Sequence, residues 1–537
     1  MRSLRFFSAA LAVLLAVAVT SALEPARTTR NLSLQDCIQI ALEHNLDVQI
    51  QRINPELARY ALGVSYGNYD PNFGFSGDHS RNISPGGVDT QGRAFGGTES
   101  ETDRFSSSLQ GLLPWGLTYN LGGTMADRTG TQPAVAPDFS NPTVVTNSFT
   151  DIGTGDVISY RSTNFGSTAI RVPFETTSAD VGALTLRQPL LKNFWIDSTR
   201  LQIMLNKQNI KISELDLRLQ VITTVTDVEQ AYFDLIHAEE SVKVQREAMN
   251  LAERLVTENR RRVEVGALAP LDSKQAESQA ASARADLLAA QSTRDTTERV
   301  LKNLLSDDYN VWENVTIQPS DALLAIPQQF SLQESWRIGL EQRPDLLAAK
   351  LSLEKQGYIV RYQKNQLYPQ LDLIGAYGYN ASSTEYSGAL GQISSADNPF
   401  YTVGAQMTIP LGNTSARNSL KSARATKDQI ALQLKQLQQG TLIRIENAIA
   451  VAETSFQRVD ATRQARQYAE SALEAEQTKL DKGKSTTFVV LQLQKDLTDA
   501  RSAEIRALAD YNIALARLAL NEGSTLDRRR INLQVGR

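Results

Sequence analysis

Between Arg200 and Val265, apolar side chains recur mostly in steps of three and four: Leu201, Leu205, Ile212, Leu215, Leu219, Ile222, Val225, Val228, Tyr232 and Leu235. That spacing marks one face of a helix. A second stripe, Ile203, Ile210, Leu217, Val221 and Thr224, runs beside it, so the helix is expected to have neighbours on two sides. The stretch holds neither Gly nor Pro, the residues that most disfavour a helix interior. At 1.5 Å per residue, an unbroken helix here would be roughly 100 Å long.

The same pattern returns later. Leu34-Gln35, Leu42-Glu43, Asp47, Pro71 and Gly77 align with Leu332-Gln333, Leu340-Glu341, Asp345, Pro369 and Gly375 at one constant offset. Glu229, Ala231, Ala248, Ala252, Glu253 and Gly266 align with Glu446, Ala448, Ala465, Ala469, Glu470 and Gly483 at another. Two offsets mean an internal duplication of helix, strands, long helix, turn and shorter helix. The first copy is predicted over 23–305, with strands within 71–190, a long helix over 200–265 and a tip turn over 265–270. A segment at 306–331 joins it to the second copy over 332–523. That copy has strands over 370–380 and 401–410, a long helix over 415–482 interrupted only at Gly440, and a tip turn over 482–486. Pro55 is expected to kink or restart the helix over 33–68, and one short strand is expected near Asn314 to Ile317. The polar tail, 524–537, with Arg528-Arg529-Arg530, reads as a loosely ordered, solvated end.

Period-two stretches lie between the helices of each copy. Leu371, Leu373, Tyr377 and Tyr379 make one strand, and Val403, Ala405, Met407 and Ile409 another. In the first copy, Phe105, Ser107 and Leu109 alternate, as do Leu117, Tyr119 and Leu121 after Leu113-Pro114-Trp115-Gly116. The segment Phe105 to Asp127 is expected to form an extracellular hairpin, the alternative being two further strands of a barrel wall. Residues 131–167, rich in Gly, Ser, Thr and Asn, and 382–398 read as loops.

The first 22 residues read as a secretory signal: Arg2 and Arg5, an apolar core from Ala9 to Val19, then Thr20-Ser21-Ala22. The apolar run is short for a membrane anchor, and no Cys follows the cleavage site to carry a lipid. Beyond residue 22 no run of 18 apolar residues occurs, so any later passage through a membrane must use β-strands. Each strand set returns to helix and so crosses an even number of times, giving four to six strands per chain. Membrane barrels close at about eight or more, which makes a symmetric oligomer the way to close one. Three chains with four strands each would give twelve.

The chain resembles the TolC-like outer membrane efflux proteins. The resemblance rests on the duplicated unit, Arg343-Pro344-Asp345-Leu346, Leu367-Tyr368-Pro369, and Gln188-Pro189-Leu190 leading into a long helix. Val265-Gly266-Ala267 followed by Asp272 and Gln275-Ala276-Glu277 completes the pattern. It implies an α+β membrane protein: a long α-helical barrel continued by a transmembrane β-barrel, completed only in a homotrimer. It implies the bacterial outer membrane with a long periplasmic extension, and a passive exit duct for a pump exporting small molecules. Implied partners are a periplasmic adaptor, an inner-membrane transporter and outer-membrane lipid. The tips Val265, Gly266, Ala267, Lys482, Gly483 and Lys484 are implied adaptor-docking positions at the closed entrance, and Asp272 a link between neighbouring hairpins. Pro71, Pro189, Pro369 and Pro410 would mark the transitions from barrel to helix. The family's acidic constriction does not carry over, because Val489 and Gln492 stand at those positions, and Leu480 replaces an aromatic gate partner. The alternatives are an exit duct for type I protein secretion and a non-channel periplasmic coiled-coil scaffold.

Composition narrows the rest. The 537 residues carry a formal charge of −4, with 41% hydrophobic and 21% charged residues, and no basic excess points to nucleic acid. Cys37 is the single cysteine and His44, His79 and His237 the only histidines, too few and too scattered for a disulfide framework or metal site. Ser352-Leu353-Glu354-Lys355 fits a Ser-x-x-Lys pattern by chance. No phosphate-binding Gly loop or nucleophile elbow is present. No enzyme activity, cofactor or metal is expected.

Overall fold

The computed structural model describes residues 28–88, 94–266 and 269–531. The expected signal peptide and Ala267 lie outside these. In chain order the elements are β1 (Thr28–Leu32), α1 (Leu34–His44), α2 (Leu46–Tyr66), β2 (Asn72–Ser84), the two-residue strands β3 (Gly87–Val88) and β4 (Ala94–Phe95), β5 (Thr98–Leu112), β6 (Thr118–Thr150) and β7 (Val157–Pro189). Then follow α3 (Ser198–Glu264), α4 (Pro270–Leu305), β8 (Val315–Pro319), α5 (Leu332–Gln342), α6 (Pro344–Asn365), β9 (Gln370–Ser383), α7 (Tyr386–Ser395) and β10 (Pro399–Thr408). The chain ends with α8 (Thr414–Asp481), α9 (Thr487–Glu522) and α10 (Thr525–Arg529). Two compact units result. One takes the chain up to Arg59, Gln208–Glu354 and the chain from Asp428; the other takes Tyr60–Lys207 and Lys355–Lys427.

The first unit is helical. Val221, Ile222, Val225, Val228, Tyr232 and Leu235 of α3 are buried against Ile38, Leu301, Leu305, Trp312 and Ile317. Burying such side chains is worth roughly 1.5–3 kcal/mol each. The Tyr232 hydroxyl donates to the Asp321 carboxylate at 2.8 Å, which also accepts the Leu34 N–H at 2.8 Å. Strand β1 pairs in parallel with β8, from Thr28↔Val315 to Leu32↔Pro319.

Local chemistry corrects three expectations here. The first helix breaks at Asn45 rather than Pro55, which lies inside α2. The Asn45 Oδ1 accepts the N–H groups of Asp47 and Val48 at 3.0 and 3.2 Å, capping the new helix. Helix α8 runs unbroken through Gly440, since a lone glycine costs only about 1 kcal/mol in a helix. The start of the tail is ordered: Leu526 is buried, Arg528 binds Glu522 at 2.7 Å, and Arg529 binds the buried Glu229.

The second unit holds an antiparallel sheet of six strands in the order β10-β9-β7-β6-β5-β2. Phe105 to Asp127 falls within β5 and β6, which pair with each other and are flanked by β2 and β7. The segment expected as a hairpin thus lies inside the sheet, paired on both sides. Residues 131–167 continue β6 and β7 as a long paired ribbon turning at 151–156 rather than as loops. Their Thr and Val content suits a pleated strand. The loop expected over 382–398 contains α7, which packs Ala389 against Ala179 and Ala381.

Candidate functional site

At each tip a long helix ends on a glycine in the left-handed region, Gly266 at φ +76° and Gly483 at φ +69°. Only glycine takes this conformation without strain. The Gly266 N–H donates to the Val263 carbonyl at 3.0 Å. The Gly483 N–H donates to Leu480 at 3.0 Å and the Lys484 N–H to Lys479 at 2.9 Å, which closes α8 with the paired bonds of a Schellman cap. Val265, Lys482 and Lys484 are exposed.

Asp272 sits in the first turn of α4, and its carboxylate accepts the Ala269 N–H at 3.2 Å. A negative charge at a helix start is favourable in itself. Arg260 of α3 reaches Glu277 of α4 at 2.8 Å, and Lys274 reaches the same carboxylate at 2.8 Å. Lys274 first, then Arg260, holds Glu277 below the usual carboxylate range. At the other tip Lys479, then Ser485, does the same for Glu476. Arg262 of α3 lies 3.9 Å from Asp481 of α8, so the ends of the two long helices are neighbours. Val489 is 39% exposed, and Gln492 donates to Asp496 at 3.0 Å, so no acidic ring stands at these two positions. Phe488, 60% exposed beside them, is an aromatic that the helical spacing did not single out.

Farther along, α9 is laced to α3 by three arginines. Arg501 reaches Glu247 at 3.1 Å, Arg506 reaches Asp234 at 3.2 Å, and Arg517 reaches the Gln230 side chain at 2.9 Å. Pairs this exposed contribute little energy singly, but they fix the register of two antiparallel helices. Arg506 and Arg517 also line a 490 Å³ cleft with Arg444, Asn447 and Asp510. Sequence periodicity marks apolar seams and gives no cue to these polar links.

The sheet is two-faced. Phe73, Leu109, Leu121, Leu184, Tyr377 and Tyr401 stand directly opposite one another across all six strands. All but Leu109 are exposed. The adjacent row, on the other face, reads Asn72, Gln110, Asn120, Thr185, Ala376 and Thr402. On that polar face Arg187 binds Asp372 at 2.6 Å, tying β7 to β9. Pro71 and Pro369 immediately precede β2 and β9, Pro189 ends β7, and Pro410 follows β10. Trp195 and Tyr368, close in sequence to Pro189 and Pro369, and Trp115, in the turn between β5 and β6, are also exposed, and Trp and Tyr favour a membrane interface.

Helix α2 carries a seam of its own: Leu46, Ile50, Ile53, Leu57, Tyr60 and Val64, alternating steps of four and three, each at least half exposed. That spacing is the heptad signature of helix-on-helix packing. No helix among the described residues is long and apolar enough to cross a membrane. Burial pushes the Cys37 thiol up to about 12, with Asp36 and Asp321 adding to the shift, so it is no nucleophile at neutral pH.

Comparison with known proteins agrees with this geometry. The outer membrane efflux protein BepC of Brucella suis is 24% identical over 366 residues, 67% of this chain and 75% of that protein. The pyoverdine export outer membrane protein OpmQ of Pseudomonas aeruginosa is 23% identical over 59% of this chain and 63% of its own length. The crystal structure of the Campylobacter jejuni CmeC outer membrane channel superposes with a TM-score of 0.61 at 18% identity, covering 92% of this chain and 86% of that one. It shares the mixed helix and strand fold. The outer membrane efflux protein family profile matches residues 162–306 and 338–524, and the chain belongs to that family.

Proposed function

We propose that this chain is one third of a trimeric channel, the passive exit duct through which a tripartite pump exports small molecules across the outer membrane. The observation that carries this reading is the sheet. One face is apolar and exposed, the other polar, and the two end strands, β2 and β10, each pair on one side only, with β5 and β9, leaving the outer edge without a strand among the described residues. A membrane leaves no sheet edge unpaired, so further copies must complete it. The α2 seam is a second surface suited to those copies. Energy would come from an inner-membrane transporter, with a periplasmic adaptor bound at Val265, Gly266, Ala267, Lys482, Gly483 and Lys484.

The internal duplication is supported at the level of single contacts. The Asn45 amide donates to the Leu304 carbonyl at 3.0 Å, and the Arg343 guanidinium to the Asn521 carbonyl at 2.8 Å. Both contacts join positions equivalent under the two sequence offsets, and both close the end of a returning helix. Asp272, beyond capping α4, would link neighbouring hairpins at the entrance. Small solutes are the favoured cargo, in line with the name of the pyoverdine-exporting relative.

A strain lacking this chain tests the reading. Retention of amphipathic dyes and antibiotics supports efflux. Loss of a large protein from the medium with dye export intact would move the function to type I secretion.

A further inference from the structure

Three chains of four strands would make a twelve-stranded barrel, yet this chain pairs six strands without interruption. The two additional ones, β5 and β6, have no counterpart in the second copy, where β9 and β10 follow one another. What they do is written in their register. Leu109 and Leu121 take the two middle-left places of the apolar row, between Phe73 and Leu184. Gln110 and Asn120 take the matching places in the polar row, between Asn72 and Thr185. A hairpin in water has no use for an apolar face aligned with lipid-facing neighbours, whereas a membrane wall requires one in every strand.

Two further observations agree. β5 and β6 are joined by the short turn Leu113–Leu117, closed by the Leu113 N–H on the Leu117 carbonyl at 2.8 Å, as barrels turn on their periplasmic side. β10, ten residues long, rises about 3.4 Å per residue and at a tilt near 40° spans about 25 Å, the apolar height of such a barrel.

We infer that β5 and β6 are barrel wall, so that three copies close an eighteen-stranded barrel by pairing β10 of each with β2 of the next. This rests on the trimeric channel reading. Because all five contacts within the sheet are antiparallel, β2 and β10 run in opposite directions. A rotation about the membrane normal therefore brings them together antiparallel, with no break in the pattern. Pairing β2 with β2 about a two-fold axis would instead send the two sets of helices to opposite sides of the membrane. Barrel diameter grows roughly in proportion to strand number, so this exit would be about half again as wide as a twelve-stranded one.

Spin labels placed singly in the full-length Cys37→Ser protein, reconstituted in phosphatidylcholine vesicles, test this. Labels at Leu109 and Leu121 should favour oxygen over a water-soluble nickel complex several-fold, as labels at Phe73 and Tyr401 do, with Gln110 and Asn120 reversed. Nickel access at Leu109 and Leu121, with Phe73 and Tyr401 still oxygen-favoured, would place the hairpin outside the wall and overturn the inference alone. Nickel access at all four would overturn the membrane sheet itself. Should labelled protein fail to assemble, electron cryomicroscopy of the unaltered trimer in nanodiscs counts the strands: eighteen in cross-section, or twelve against the inference.

Discussion

Leu109 stands directly opposite Leu121, and one residue along Gln110 stands opposite Asn120. These two pairs state the central property of the sheet, apolar on one side and polar on the other. A charge should therefore be costly on one side only. Leu121→Arg is expected to lower barrel stability by about 2–4 kcal/mol, the cost of Arg on a lipid face near the midplane. Asn120→Arg should cost far less. Urea unfolding of the vesicle-embedded protein checks the difference.

Arg343 illustrates how the helices are closed. Its guanidinium holds Asp345 at 2.7 Å and the Asn521 carbonyl at 2.8 Å, next to Gly523 at φ +75°. Burial pushes Asp345 up, but the Arg343 hydrogen bond and charge outweigh it and hold the carboxyl below its ordinary range. Arg343→Ala would leave that partly buried carboxylate with only the Leu346 N–H at 2.9 Å and the more distant Arg444 at 4.0 Å, and would take the guanidinium from the Asn521 carbonyl. We expect a loss of roughly 3 kcal/mol, read as a lowered urea midpoint, with Arg343→Lys recovering part of it.

The α2 seam predicts an assembly defect. Ile53→Glu with Leu57→Glu should leave helix content by circular dichroism unchanged, because both side chains are exposed in the single chain. The native mass should fall from trimer toward monomer. A trimer of undiminished stability would remove the seam from the interface.

At the tips, Glu277 and Glu476 are both held below their ordinary value of 4.5. A depressed carboxylate stabilises the folded form above its unfolded pKa and loses that contribution as pH falls through its folded one. Distances between spin labels at Val265 and Lys484 should stay narrow from neutral pH to about 4.5 and broaden below it. Glu277→Gln with Glu476→Gln should give the broad distribution at every pH.

Much of this was legible in the sequence, for physical reasons. A helix such as α3, free of Gly and Pro and striped on two sides, has few alternatives. The prolines bordering strands announced their ends. Polar strands were harder, because Gly, Ser and Thr at 131–167 look like loop until a partner strand is paired alongside. The α2 seam is present as spacing, but a kink at Pro55 would split it between two helices, and only the unbroken helix makes it one face. The links from Arg501 and Arg506 to α3 left no trace in periodicity, since a charge on a helix surface does not reveal its partner.

Ion conduction by the purified trimer in planar lipid bilayers tests the channel reading most directly. The unaltered protein should give stable steps of low conductance, and Asp272→Ala or Arg262→Ala, by loosening the tips, should raise them. A correctly assembled trimer that inserts yet passes no current in any of these forms would contradict the account.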